Sequence, residues 1–374
     1  MNTSTLRRAI VPGVAALALA ASLAACGSSD DSADSAASDG SSGAAAGGSL
    51  SGTVAGGGSS AQEKAQESWR AGFGQANSGV TMTYDSVGSG TGRSNFISGA
   101  YKYAGSDSAM TSDEITQATK ACGGDPVEFP VFISPIDVAF NLKGVSSLNL
   151  DAKTVAQIFK GDIKTWDDPA IKALNPDAKL PSTAISPVHR SDSSGTTDNF
   201  TDYLHQAAPS VWTSDHSSDW PTTSGESAEG TSGVVGAVQG GNGTIGYIDD
   251  SGVEGTKLGV AKIKVGDSFV APSADGAAAG LAASQLVSGT PATVMEYKIN
   301  RTSTDPSTYP VFMASYEIAC QSYSDANTGA VVKAFLTYIT SADGQKAAAA
   351  NAYSAPLPTD VASKEAAIIA KIGS

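Results

Sequence analysis

From about residue 53 the chain alternates between two hydrophobic periods. In SSAQEKAQESWRAGF (59–73), Ala61, Ala65, Trp69 and Phe73 recur every four positions and so share one face of a helix. GVTMTYDSV (79–87) alternates as a strand does, and GSGTG (88–92) breaks it before a short helix begins near Arg93. FPVFISPIDVAFNL (129–142) is β-branched and aromatic, long enough for two strands or one bent one. Helical spacing returns at DAKTVAQIFKG (151–161), TDNFTDYLHQA (197–207), SADGAAAGLAASQLV (273–287) and the long GAVVKAFLTYITSADGQKAAAA (329–350). GTIGYID (243–249) reads as a strand and YPVFMASYEIAC (309–320) as a strand pair. Alternation of this kind predicts an α/β fold with largely parallel sheets.

The first 25 residues stand apart. Arg7 and Arg8 precede AIVPGVAALALAASL, an apolar run too short for a comfortable membrane span, and the segment ends in LAAC (23–26). A basic start, an apolar middle and small residues at the end predict an export signal. A cysteine where cleavage would fall resembles a bacterial lipobox, with cleavage before Cys26 and lipid on its thiol; the alternative is an ordinary signal peptide with an incidental cysteine. Residues 26–52 follow without an aromatic side chain and with one large apolar residue, Leu50. Such a composition cannot offset its ordering entropy and reads as a tether, with a reach of roughly 25–30 Å. Outside the cytoplasm, Cys122 and Cys320 form an even pair in an oxidising compartment, which predicts a disulfide, with two buried free thiols as the alternative.

Length and charge narrow the picture further. At 374 residues the chain exceeds one ordinary core, so two domains are the default. A formal net charge of −14 argues against nucleic acid and against a polybasic membrane patch. An anionic ligand would have to be held by local dipoles against the global field.

Three segments have the chemistry for that. AGGGSSAQ (55–62), VGSGTGRS (87–94) and RSDSSGTTDNF (190–200) each place glycine and hydroxyl residues just before a helix. A helix N-terminus exposes unpaired N–H groups and a partial positive charge, glycine lets a ligand approach the backbone, and serine and threonine add donors. Ser and Gly also simply cap helices, but Arg190 adds a fork of N–H donors at the third segment, with Asp192 placed to hold its guanidinium. YAGSDSAM (103–110) supplies Asp107 among small residues. Beside an oxyanion, a carboxylate has one specific use: it accepts a hydrogen bond from a protonated ligand such as phosphate and repels sulfate, which carries no proton.

Enzyme signatures are weaker. No G-x-S-x-G elbow or Walker A sequence is present, and GSGTGR has Arg93 where the dinucleotide fingerprint needs its third glycine. His189, His205 and His216 lack zinc-ligand spacing. His189 acting as a base for Ser193 or Ser194 would have a neighbouring arginine opposing its second charge.

These segments, in this order, resemble the phosphate-binding protein of bacterial high-affinity phosphate ABC transporters, the PstS family. The most specific piece is RSDSSGTTDNFTDYL, similar to the family's Arg-x-Asp-x-Ser-Gly-Thr followed by a helix; YDSVGSGTG, AGSDSAM, LDAKTVAQIFKGDIKTWDDPAIKALNP and GTIGYID match as well, over about residues 53–360. The resemblance implies a type II periplasmic-binding-protein fold, two α/β lobes joined by a hinge and closing on dehydrated phosphate. Lobe I would take 53–140 and 267–374 and lobe II 141–266, with crossings near Asn141 and Gly266, which also brings Cys122 to Cys320. It implies phosphate ligands at Ser60, the backbone of Ala61, Ser89 and Asp107 from one lobe and at Arg190, Ser194, Gly195 and Thr196 from the other, with Asp192 orienting Arg190. AGGGSSAQ lacks the family's Phe-Pro, so the first-loop hydroxyl is either Ser60 or Ser59. The function implied is a lipid-anchored receptor on the extracytoplasmic face of the cell membrane, passing inorganic phosphate to the permease subunits of an ABC importer, with no reaction, metal or organic cofactor. The rival readings are the same fold tuned to another oxyanion, a hydrolase using Ser194, and an adhesive surface lipoprotein.

Overall fold

The computed structural model describes residues 50–373; the expected export signal, Cys26 and nearly all of the expected tether lie outside them. In chain order the elements are β1 (Gly52–Gly58), α1 (Glu63–Ala76), β2 (Val80–Ser86), α2 (Ser89–Ile97), β3 (Tyr103–Ser106), α3 (Ser112–Cys122), β4 (Pro126–Asn141), β5 (Ser147–Leu150), α4 (Ala152–Lys160), α5 (Pro169–Leu174), β6 (Ser186–Arg190), α6 (Gly195–Ala207), β7 (Glu226–Ala228), α7 (Gly230–Gly240), β8 (Thr244–Asp249), α8 (Asp250–Val253), β9 (Gly259–Val265), β10 (Ser268–Val270), α9 (Ala274–Ala282), β11 (Gln285–Leu286), β12 (Tyr297–Lys298), β13 (Phe312–Cys320), α10 (Ala326–Ile339), α11 (Ala342–Ala352) and α12 (Thr359–Ile369).

The four-residue spacing noted above does form α1, which buries Ala65, Trp69 and Phe73. Trp69 packs on Phe132 and Phe73 on Phe335. Other elements differ from expectation for identifiable reasons. GSGTG does follow the end of β2 at Ser86, but the helix starts at Ser89 rather than near Arg93, so Ser89–Gly92 form the first turn of α2. Its glycines are there for clearance: a Cβ on Gly92 would sit 2.4 Å from the Gly58 Cα, and one on Gly90 2.2 Å from the Ser193 Oγ. Residues 129–141 fall within one continuous strand, β4, and 312–320 within another, β13. The long C-terminal helix is two, because the Ser341 hydroxyl accepts the Gly344 N–H and starts α11 afresh.

The sheet is mixed, not largely parallel as expected. Along β2-β1-β3 and β8-β6-β7 neighbours run parallel, whereas β4 and β13 oppose every strand they pair with in the sheet. These two long strands are buried on both faces, and a strand buried that way reads as an unbroken apolar run whatever its direction. β4 also joins two groups of strands. Its residues Pro126–Pro135 pair with β13, and Ile136–Asn141 pair with β8. Beyond Gly266, β10 still pairs with β9, in the second group. Cys122, at the end of α3, and Cys320, at the end of β13, are disulfide-bonded with their Cα atoms 5.4 Å apart.

Among the described residues, the buried carboxyls Glu128 and Glu365 form no ion pair. Burial pushes Glu128 up to about 8, although its Oε1 accepts the Met110 N–H, and burial alone pushes Glu365 up to about 8. A carboxyl that keeps its proton when folded and loses it near its ordinary 4.5 when unfolded makes the unfolded state the weaker proton binder across that window, so stability falls as pH rises from about 4.5 to 8. His216 adds to the trend: the Asp198 hydrogen bond raises it to about 9, and the stability this confers is fully present below its ordinary 6.5 and lost through about 9. We expect the melting temperature at pH 8 to lie several degrees below that at pH 5.5, at about 2–4 °C per kcal/mol for a chain of this size. A flat or rising profile in differential scanning calorimetry would contradict it.

Candidate functional site

The C-terminal ends of β1, β2 and β3 lie side by side, where parallel α/β strands place ligands. From there Ser59–Ala61, Ser89 at the start of α2 and Asp107 are carried against Arg190, the last residue of β6, and Ser191–Thr196 after it. Contact between the two sides is close. The Gly90 N–H donates to the Ser193 carbonyl at 3.0 Å, and the Asn199 amide donates to the Asp107 carbonyl at 2.7 Å. Glycine is required at the seam: a Cβ on Gly195 would lie 2.7 Å from both the Asp107 Cβ and the Ser89 Oγ, and one on Gly88 would lie 2.5 Å from an Asp192 oxygen. Ser59, Ser60, Ala61, Ser89, Asp107, Arg190, Ser194 and Thr196 are all buried.

Arg190 is gripped by Asp192. Its Nε donates to Oδ1 at 2.7 Å and its second terminal nitrogen donates to Oδ2. Burial alone would raise the Asp192 carboxyl, but the Arg190 hydrogen bond and charge hold it below the usual range, and the Gly230 N–H adds a third donor at 3.0 Å. The backbone N–H of Arg190 donates to the Tyr247 hydroxyl, 3.1 Å away, which also pairs with Thr197. Held this way, the guanidinium is fixed in one orientation by its own protein partners.

The remaining donors are set by helix starts. Ser194 caps α6 by accepting the Thr197 N–H. Thr196 Oγ1 is buried and has no hydrogen-bond partner among the described residues. The Ser89 Oγ accepts the Asp107 N–H at 3.1 Å, which leaves its own proton to give. Asp107 is raised by burial, against the hydrogen bonds of Ser59 and Ser315 and the charges of Arg190 and Arg93.

The first loop divides its two hydroxyls. Ser59 Oγ donates to Asp107 Oδ2 at 2.6 Å and accepts the Ala61 N–H at 3.1 Å. Ser60 reaches across the seam: its Oγ accepts the Thr231 N–H and lies 3.1 Å from the Thr231 hydroxyl, which itself donates to Asp249. Thr231, in the first turn of α7, was missed from the sequence. Its signal, EGTSG (229–233), is the same glycine-hydroxyl helix start as the other three.

His189 is turned to other work. Its Nδ1 lies 2.9 Å from the Arg190 carbonyl and its ring stacks on Trp220. Among the described residues no histidine hydrogen-bonds Ser193 or Ser194.

Comparison with known proteins identifies the family and the fold. A model of the PBP superfamily domain matches residues 43–343. Phosphate-binding protein PstS 3 of Mycobacterium leprae is 36% identical over 308 residues, covering 82% of this chain and 83% of the relative. Phosphate-binding protein PstS of Pasteurella multocida is 32% identical over 299 residues, covering 78% and 82%. Among solved structures, a high affinity periplasmic phosphate-binding protein (PfluDING) bound with phosphate superposes with a TM-score of 0.68 at 24% identity, covering 84% of this chain and 93% of that one, a likeness of fold. With a family model over most of its length and relatives of this identity and coverage, the chain belongs to the PBP superfamily and, within it, to the PstS family of phosphate-binding proteins.

Proposed function

We propose that this protein is an extracytoplasmic receptor that captures inorganic phosphate between two lobes and delivers it to a phosphate ABC importer. The observation that carries the reading is the pairing of opposites at the seam. Hydrogen-bond donors without a partner among the described residues, Thr196 Oγ1 and the Ser89 proton, and the Asp192-held Arg190 guanidinium adjoin one buried carboxyl group, Asp107. Donors alone would suit any oxyanion; donors with an acceptor suit one that keeps a proton. The relatives named for phosphate binding support the same ligand.

In this reading β1, β2, β3, β13 and the first part of β4 form one lobe, and β5 to β10 with the last part of β4 form the other. The crossings are then the partner switch at Pro135–Ile136 within β4 and the segment after Val270, rather than Asn141 and Gly266. Arg190, Ser194, Gly195 and Thr196 bind from one lobe and Ser59 or Ser60, Ala61, Ser89 and Asp107 from the other, with Ser60–Thr231 as a latch across the seam. Cys26 carries the lipid that holds the receptor to the membrane, and the permease subunits are its partners.

Equilibrium dialysis with labelled phosphate tests the ligand: one saturable site per chain is expected, and no saturable uptake would contradict the reading. Steady release of phosphate from p-nitrophenyl phosphate would instead favour a hydrolase using Ser194. Gly195→Ala is expected to weaken phosphate binding by about 5- to 150-fold, because overpacking costs about 1–3 kcal/mol where the lobes must meet. Unchanged affinity would mean that the lobes do not close here.

A further inference from the structure

Beneath Asp107 lies a buried polar relay. The Ser315 Oγ, on β13, donates to Asp107 Oδ1 at 2.7 Å. Gln62 Nε2 lies 2.9 Å from the Ser315 Oγ and 2.9 Å from the Tyr316 carbonyl. Gln66 Nε2 donates to Gln62 Oε1 at 2.9 Å and also to Glu317 Oε1. Two periodicities build it: Gln62 and Gln66 are four apart at the start of α1, and Ser315 and Glu317 are two apart on β13. The pairing of β13 with β4 slips register between Ser315 and Tyr316, an irregularity of the kind that re-aims a side chain beside a site. All four relay residues are buried.

The direction of each proton follows from groups that can only give or only accept. The Tyr316 carbonyl only accepts, so the Gln62 atom facing it is the amide nitrogen. That same nitrogen donates to the Ser315 Oγ, which sends the serine's own proton to Asp107. On the other side the Ala61 N–H only donates, so the Ser59 proton also points at Asp107. Both oxygens of Asp107 therefore already receive a hydroxyl proton.

We propose that Ser315, oriented by Gln62, is a positioning residue for anion selectivity: with Ser59 it fixes Asp107 as an acceptor, so that the bound anion must bring its own proton. The inference rests on the phosphate-receptor reading. Other groups act on Asp107 from the elements around it: Arg190 from β6 and Arg93 from α2 favour the carboxylate, while Asp249 from β8 opposes it and Tyr84 from β2 stands nearby with a raised hydroxyl. Glu317 closes the far end of the relay, raised well above its ordinary value by burial. Loss of the Ser315 hydroxyl removes one influence that holds the proton off Asp107. Protonated Asp107 can donate to a bare sulfate oxygen, so sulfate should enter at a higher pH than in the unaltered protein.

The test is titration of phosphate and sulfate between pH 5 and 8.5 for the unaltered protein, Ser315→Ala and Ser315→Thr. For Ser315→Ala we expect phosphate-over-sulfate selectivity at pH 6 to fall at least about tenfold, the scale of a hydrogen bond to a charged group. The pH at which sulfate binding sets in should rise by about one unit, with Ser315→Thr restoring the original onset. An unshifted sulfate onset in Ser315→Ala, with phosphate still bound by the unaltered protein, overturns the positioning role alone. Failure of the unaltered protein to bind phosphate overturns the receptor reading and the inference with it.

Discussion

Arg190→Ala should weaken phosphate binding by about 2–5 kcal/mol, the range for truncating one partner of a buried charge pair. The arginine is 3% exposed, and two of its nitrogens are held by Asp192. Truncation has two consequences of the same sign. It removes the cationic fork from the anion, and it leaves the half-buried Asp192 carboxylate without its counter-charge in the wall of the site. Arg190→Lys should recover only part of the loss, since an ammonium cannot both pair with Asp192 through two bonds and face the ligand. Titration of purified variants reads the effect, and a dissociation constant within threefold of the unaltered protein would mean that the anion binds elsewhere.

Asp107→Asn should admit sulfate, raising its affinity by two orders of magnitude or more, because like charges held together in a buried site cost several kcal/mol. Phosphate should lose affinity in the same variant, as its proton no longer has a charged acceptor. The substitution is not silent locally. Ser59 and Ser315 each give a proton to Asp107, so the asparagine Nδ2 meets one of those hydroxyls donor to donor and that hydroxyl must turn away. Competition of sulfate against labelled phosphate measures the change; sulfate exclusion equal to that of the unaltered protein would remove Asp107 from the proton-reading role.

Much of the site was legible because its chemistry is local. Glycine and hydroxyl residues before a helix are a contiguous signal, and Arg190, Asp192 and Ser194 sit within five residues of one another. The family resemblance placed Ser89 and Asp107 on the same cradle. Less visible were contacts made by residues that look ordinary alone. Ser315 lies inside an apolar strand, and Gln62 and Gln66 read as the polar side of α1, yet these three meet beneath Asp107 from segments some 250 positions apart. Strand direction was hidden for a different reason: burial on both faces erases the alternation that would mark β4 and β13 as antiparallel. The division of labour between Ser59 and Ser60 depends on Thr231 approaching from α7, which no spacing within AGGGSSAQ encodes.

The most direct test of the central claim is calorimetric titration of the soluble chain beginning after Cys26, unfolded and refolded to strip carried ligand. Phosphate and then sulfate are added at neutral pH. A lobed receptor that reads the proton of its anion through Asp107 predicts one tight phosphate site per chain and no heat from sulfate. Equal binding of both anions, or of neither, would contradict it.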